Sequence, residues 1–121
     1  MENKSNIIKV FIVALSILIV VFALFARPIN KVINYRDVTV IVTDKAVKRN
    51  NGDDTYLIYV EDEYENVEVF EITDSLLANR WDSSDLYASI KIGGNYKFTI
   101  AGSRIHFLSW YPNIYKAEKN S

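Results

Sequence analysis

RDVTVIVTDKAVKRNNGDDTYLIYVEDEYENVEVFEI, residues 36–72, is the stretch whose reading decides the fold. Val38, Val40 and Val42 alternate with Thr39, Ile41 and Thr43, and β-branched side chains at period two pack well on a pleated surface, so a strand is expected here. It can reach Lys48 or Arg49 if it bends. The cluster Asn50-Asn51-Gly52-Asp53 supplies residues that tolerate positive φ and predicts a turn. A return strand over 56–61, a charged turn over 63–66 and a third strand over 67–72 follow. Apolar residues fall on both faces of 56–60, which favours a closed or covered sheet over one lying flat in water.

Moving toward the C-terminus, the period becomes helical between residues 73 and 92. Thr73 or Asp74 can cap a short turn carrying Leu76 and Leu77, and Asp82 or Ser83 can cap a second segment in which Leu86 and Ile90 share a face at i and i+4. Gly93-Gly94 suits a left-handed helix C-cap. Strands are expected again over 96–101, 104–108 and 113–117, with Trp110-Tyr111-Pro112-Asn113 as the turn between the last two and Pro112 fixing φ. Three strands, one helical connection and two or three more strands predict a mainly β fold, a β-barrel of OB-like order. A small SH3-like barrel and an open α+β sheet are the alternatives.

Toward the N-terminus, residues 10–26 read VFIVALSILIVVFALFA, with Ser16 the one polar residue. At about 1.5 Å per residue this run spans roughly 25 Å and approaches the thickness of a bilayer core, so a transmembrane helix anchored by Val10, Phe11, Leu15, Ile19, Phe22 and Phe25 is expected. Lys9 can snorkel from one end, and Arg27 stops the segment at the other. The expected organisation is an N-terminal cytoplasmic tail over 1–9, the helix over 10–26, a juxtamembrane tether over 27–35 in which Pro28 disfavours continued helix, a small β-rich domain over 36–118 and a tail over 119–121. A signal peptide cleaved near Ala23, releasing a secreted soluble domain, is the rival reading. Lys4 and Lys9 before the segment nearly balance Arg27, Lys31 and Arg36 after it, so it is the short head before the first apolar run that predicts a signal-anchor at the cell membrane with the C-terminal domain extracytoplasmic.

Charge and composition then exclude whole classes of chemistry. The chain has no cysteine and one histidine, which removes disulfide scaffolds, thiolate metal sites, iron–sulfur clusters and multi-histidine sites. Residues 36–121 hold 10 basic and 14 acidic side chains, the wrong sign for a barrel that grips nucleic acid. The acidic run Glu61, Asp62, Glu63, Glu65, Glu68 and Glu71 lacks the ligand spacing of a calcium loop and reads as a solvated hairpin edge. His106, Ser109 and the Ser-Asp cluster at 82–85 are the residue types of a hydrolase triad, without a nucleophile elbow or supporting spacing. No enzymatic activity, cofactor or metal is expected.

Phe107, Trp110, Tyr111 and Tyr115, with Trp81 and Tyr87, read first as core or corner residues; a recognition groove and a membrane-facing patch are the other readings, since amphipathic rings dominate binding hot spots and partition to bilayer interfaces. Arg104, His106, Trp110 and Tyr111 are the candidate interaction residues. The segments WDSSDLY at 81–87 and GSRIHFLSWYPNI at 102–114 also carry a resemblance. They are similar to those of small single-pass membrane proteins of phage and bacterial genomes, whose pattern pairs an Asn-Ser-Ser-Asp-Leu helix start with a Gly-x-Arg-x-Pro-x-Leu-Ser-x-Tyr-Pro-Asn-Ile close. The likeness covers most of residues 36–118. Asp82 stands where that pattern has Asn, and His106 where it has Pro. The resemblance implies a membrane-anchored domain with no assigned activity. The expected function is therefore a membrane-anchored binding or accessory module, with membrane lipid and another membrane or envelope protein as partners.

Overall fold

The computed structural model describes residues 3–50, 53–75 and 78–120. A helix, α1 (Lys4–Asn30), leads into five strands, β1 (Arg36–Asn50), β2 (Asp53–Asp62), β3 (Val67–Ile72), β4 (Asn95–Ala101) and β5 (Asn113–Lys119), with a short helix, α2 (Ser83–Ser89), between β3 and β4. The strands close into a barrel in the order β1-β2-β3-β5-β4, with β1 pairing antiparallel to β4 to shut it. β3 and β5 run parallel. This is the OB-like order with one helical connection.

β1 can pair with both neighbours because it bends at a bulge between Val42 and Asp44. There Gly93 donates to the Val42 carbonyl at 2.7 Å and Val42 donates to the Gly94 carbonyl at 3.0 Å. Gly93 takes φ +86 to make this turn, so the glycine pair docks the entry to β4 onto the bulge. It does not cap α2, which ends at Ile90 in extended conformation (φ −82, ψ 127). The N-terminus of α2 also differs from expectation. Asp82 makes no capping bond and instead pairs with the buried Arg80, while Asp74, eight residues upstream, accepts from the Ser83 amide at 3.2 Å. The expected turn around Leu76 and Leu77 lies outside the described residues.

Inward-facing positions fill the barrel: Val42, Ile58, Val60, Phe70, Ile72, Phe98, Ile100 and Ile114 are fully buried. Phe70 and Phe98 meet edge-on at 6.4 Å, and Tyr96 stacks on Phe98 at 5.5 Å. Ile90 closes one end, where the Tyr87 ring lies 4.6 Å from Tyr56 and the Lys45 ammonium sits 4.1 Å over Tyr87. Burying each such aliphatic or aromatic side chain contributes about 1.5–3 kcal/mol. Tyr56, Ile58 and Val60 face this core, while Leu57, on the outer face of the same strand, is buried as well.

Two other expectations fail. Residues 104–108 are not a strand: Ile105 and Trp110 form an isolated bridge around a single 3-10 turn, His106–Leu108, with Ser109 in the left-handed region at φ 54. The reversal is therefore at 106–109, and residues 111–112 lead directly into β5. Second, Pro28 does not end the helix, which continues to Asn30 and shortens the tether to residues 31–35. α1 has an 18-residue window of mean hydropathy 3.1, none of it buried, and is long and apolar enough to cross a membrane. Ser16 Oγ donates to the Ile12 carbonyl at 2.8 Å, so the one polar group of the run is satisfied within the helix.

Candidate functional site

The last turn of α1 is docked onto one end of the barrel. Asn30 is buried, its side-chain amide donating to the Ser103 carbonyl at 3.3 Å and accepting from the Ser103 amide at 3.2 Å. Gly102, at φ +92, lies so close to the Asn30 carbonyl that a Cβ would overlap the oxygen, and its own amide donates to the Ile33 carbonyl at 2.7 Å. The Tyr115 hydroxyl donates to the Lys31 carbonyl, and Tyr35 packs on Tyr115 at 5.5 Å.

Arg27 reaches Glu71 at 3.3 Å. Glu71 is 2 % exposed and is the exception to the solvated acidic edge: it points outward from β3 but is covered by the helix end. Burial pushes its carboxyl above the ordinary range, against the opposing pull of Arg27 and Lys31. The same burial lowers the Lys31 ammonium, although Glu71 pulls it up. The rest of the acidic run behaves as expected. Glu63, Glu65 and Glu68 are exposed, and Asp62 organises the turn by accepting from the Tyr64 and Asn66 amides at 2.8 and 2.9 Å, which holds its carboxyl below the usual range.

Beside this joint the barrel wall opens. β3 and β5 pair at one register position, Glu71 with Asn113, where the Glu71 amide donates to the Pro112 carbonyl at 2.9 Å. Thr73 also turns its amide toward β5, donating to the Asn113 side chain at 3.0 Å. Asn113 thus ties the two strands together and forms no turn of its own. By strand alternation Val69 and Val67 aim their backbone groups the same way as Glu71 and Thr73. They meet no backbone partner there among the described residues. Val67, Glu68, Val69 and Phe70 instead form one wall of a cleft of about 480 Å³, with Arg36, Arg104, His106, Tyr111 and Pro112 opposite.

The structure brings three of the four candidate interaction residues together here. Arg104 bridges the base of the 105–110 loop, its Nη1 donating to the carbonyls of Ile105 at 3.0 Å and Trp110 at 2.9 Å, with the guanidinium 4.1 Å over the Tyr111 ring. Arg36 Nη1 donates to the carbonyls of Asn34 and Gly102 at 2.9 and 3.0 Å. Each guanidinium uses one nitrogen in this way, and Nε and Nη2 make no hydrogen bond within the chain among the described residues. His106 is exposed on the rim. Trp110, the fourth candidate, does not line this cleft and instead shares an apolar groove with Ile105 and α1.

Of the aromatics read as core or corner residues, Phe107 is 87 % exposed and Trp81 61 %, whereas Tyr87 packs on the core and Trp110, Tyr111 and Tyr115 are half-buried. Arg36, Asn30 and the free edge of β3 carry no signal that period or spacing could reveal, because each acquires its role from a chain segment far away in sequence. No family model matches the chain, and neither do any curated proteins or solved structures.

Proposed function

We propose that this chain is a single-pass membrane protein whose α1 lies in the cell membrane, N-terminus toward the cytoplasm, and whose barrel works outside as a binding module. The cleft takes an extended segment of another membrane or envelope protein, added as a strand to the free edge of β3. The observation that carries this reading is the pair of unpartnered backbone positions, Val67 and Val69, inside a cleft rimmed by Arg36, Arg104 and Tyr111. Main-chain hydrogen bonds supply affinity in such a mode, and the two arginines favour a segment carrying carboxylates. The docked helix end supports a fixed presentation of the cleft close to the bilayer. The likeness to small phage and bacterial membrane proteins fits an accessory role of this kind, with lipid as the second partner and no nucleic acid.

Photo-crosslinking in intact cells from a benzophenone side chain at Val67, which is 72 % exposed, is the test. A discrete adduct is expected, lost in Val69→Pro, because proline removes the free amide at an edge position without touching the pairing to β2. An adduct that persists in Val69→Pro, with the barrel melting unchanged, contradicts strand addition. Protease protection of a C-terminal tag in spheroplasts checks the sidedness, and a mature N-terminus at Leu24 would overturn the anchor.

A further inference from the structure

We propose that the 105–110 loop is a second membrane contact, immersed beside α1 at the boundary between headgroups and acyl chains, with lipid filling the groove between loop and helix. This rests on the reading above that α1 spans the bilayer. The loop is a closed unit. Ile105 and Trp110 exchange backbone hydrogen bonds at 3.0 and 3.1 Å, and Arg104 ties both carbonyls from below, so the tip is held and not free to fold back onto the barrel. At that tip Phe107 and Leu108 are exposed, an arrangement that is unfavourable in water and favourable in lipid.

Position decides the occupant. Ile105 and Trp110 share an apolar groove of about 440 Å³ with one face of α1, on which Leu18, Phe22, Phe25 and Ile29 recur at helical spacing. From Leu18 to Ile29 the helix rises about 16 Å. Leu18 and Phe22 lie within the apolar run that hydrocarbon must surround if α1 spans, and a loop sharing a groove with them meets the same lipid. The loop's two sides match such a placement: Ile105 and Trp110 face the helix, while Arg104 and His106 line the cleft on the other side. Tryptophan, an apolar ring with one polar N–H, is suited to this depth.

The full chain has two tryptophans, so Trp81→Phe leaves Trp110 as the sole reporter. Reconstituted in phosphatidylcholine–phosphatidylglycerol bilayers, this variant is expected to show blue-shifted emission, most of which is lost when the lipids are brominated near the headgroup end of the acyl chain. Phe107→Asp with Leu108→Asp is expected to reduce that quenching while leaving the thermal unfolding of the barrel in place. Trp110→Phe, which reports from Trp81, should be insensitive to bromine. Phe22→Trp in a background lacking both native tryptophans separates the two readings. If the tryptophan at this site is quenched and Trp110 is not, the helix spans and the loop proposal fails; if neither is quenched, the spanning reading itself fails. Blue-shifted Trp110 emission that bromine does not touch would place a protein segment, such as a second copy of α1, in the groove and overturn lipid as the occupant.

Discussion

Replacing Gly102 with alanine tests whether helix and barrel form one rigid body. Among the described residues two glycines have positive φ, Gly93 at +86 and Gly102 at +92, and an alanine at either pays about 1–2 kcal/mol for a conformation that L side chains avoid. Their surroundings differ. A methyl at Gly93 meets nothing within 4 Å, whereas at Gly102 it overlaps the Asn30 carbonyl oxygen. Relieving that overlap displaces Asn30 and, with it, the two hydrogen bonds to Ser103, each worth about 0.5–1.5 kcal/mol. Gly102→Ala should thus cost about 1–3 kcal/mol more than Gly93→Ala, an excess of roughly 4–20 °C in Tm for a domain of this size. The assay is thermal unfolding of the full chain in lipid nanodiscs, paired with spin-label distances between Ile12→Cys and Lys97→Cys, which is clean because the native chain has no cysteine. The distance distribution should broaden in Gly102→Ala and remain narrow in Gly93→Ala. Equal Tm losses with equally narrow distributions in the two variants would refute a joint held by the Asn30–Ser103 contact.

Three further outcomes follow from the geometry. Glu71 has a folded-state pKa raised above its ordinary value near 4.5, so its stabilising contribution is complete below about pH 4.5 and is lost as pH rises through the folded value. Glu71→Gln removes this dependence, and Tm measured from about pH 4 to pH 8 should shift progressively in the variant's favour; a constant difference would mean that the pull of Arg27 and Lys31 cancels the effect of burial and that the carboxyl is not raised. Asp74→Ala should cost about 0.5–2 kcal/mol through loss of the cap on α2, with Asp74→Asn retaining most of it, and an unchanged melting curve for Asp74→Ala would remove Asp74 from that role. Phe98→Ala, which empties the centre of the barrel beside Phe70 and Tyr96, should cost about 3–5 kcal/mol in denaturant unfolding, and a loss well under that would place Phe98 outside the core.

Local pattern reached far into this molecule. The alternation at 38–43 and the 67–72 strand reappear with nearly the expected limits, because a period-two apolar pattern has one economical use in a half-buried sheet, while the expected turn at 50–53 includes residues 51 and 52, which lie outside the described residues. The apolar run at 10–26 likewise fixes a helix with no buried side chain in its most apolar window. Local pattern failed where a residue's partner is distant. Gly93 looks like a helix cap from its neighbours, yet it serves a bulge some fifty residues earlier in the chain. Asp82 is better placed than Asp74 to cap α2, but the buried Arg80 claims its carboxylate. Arg104 and Tyr111 belong to the cleft and Trp110 does not, a division set by the single turn at 106–108 that reverses the loop.

The sequence alone determined the five barrel strands, the short helix between the third and fourth and the apolar helix before them, since each follows from periodicity and length within one segment, whereas the expected strand at 104–108 is a 3-10 turn. Tertiary structure decided the closure of the barrel, the joint at Asn30 and Gly102, the burial of Glu71 and the free edge of β3. Those features depend on which segments meet after the chain has folded, and contacts across forty or more residues of sequence leave no local period to read.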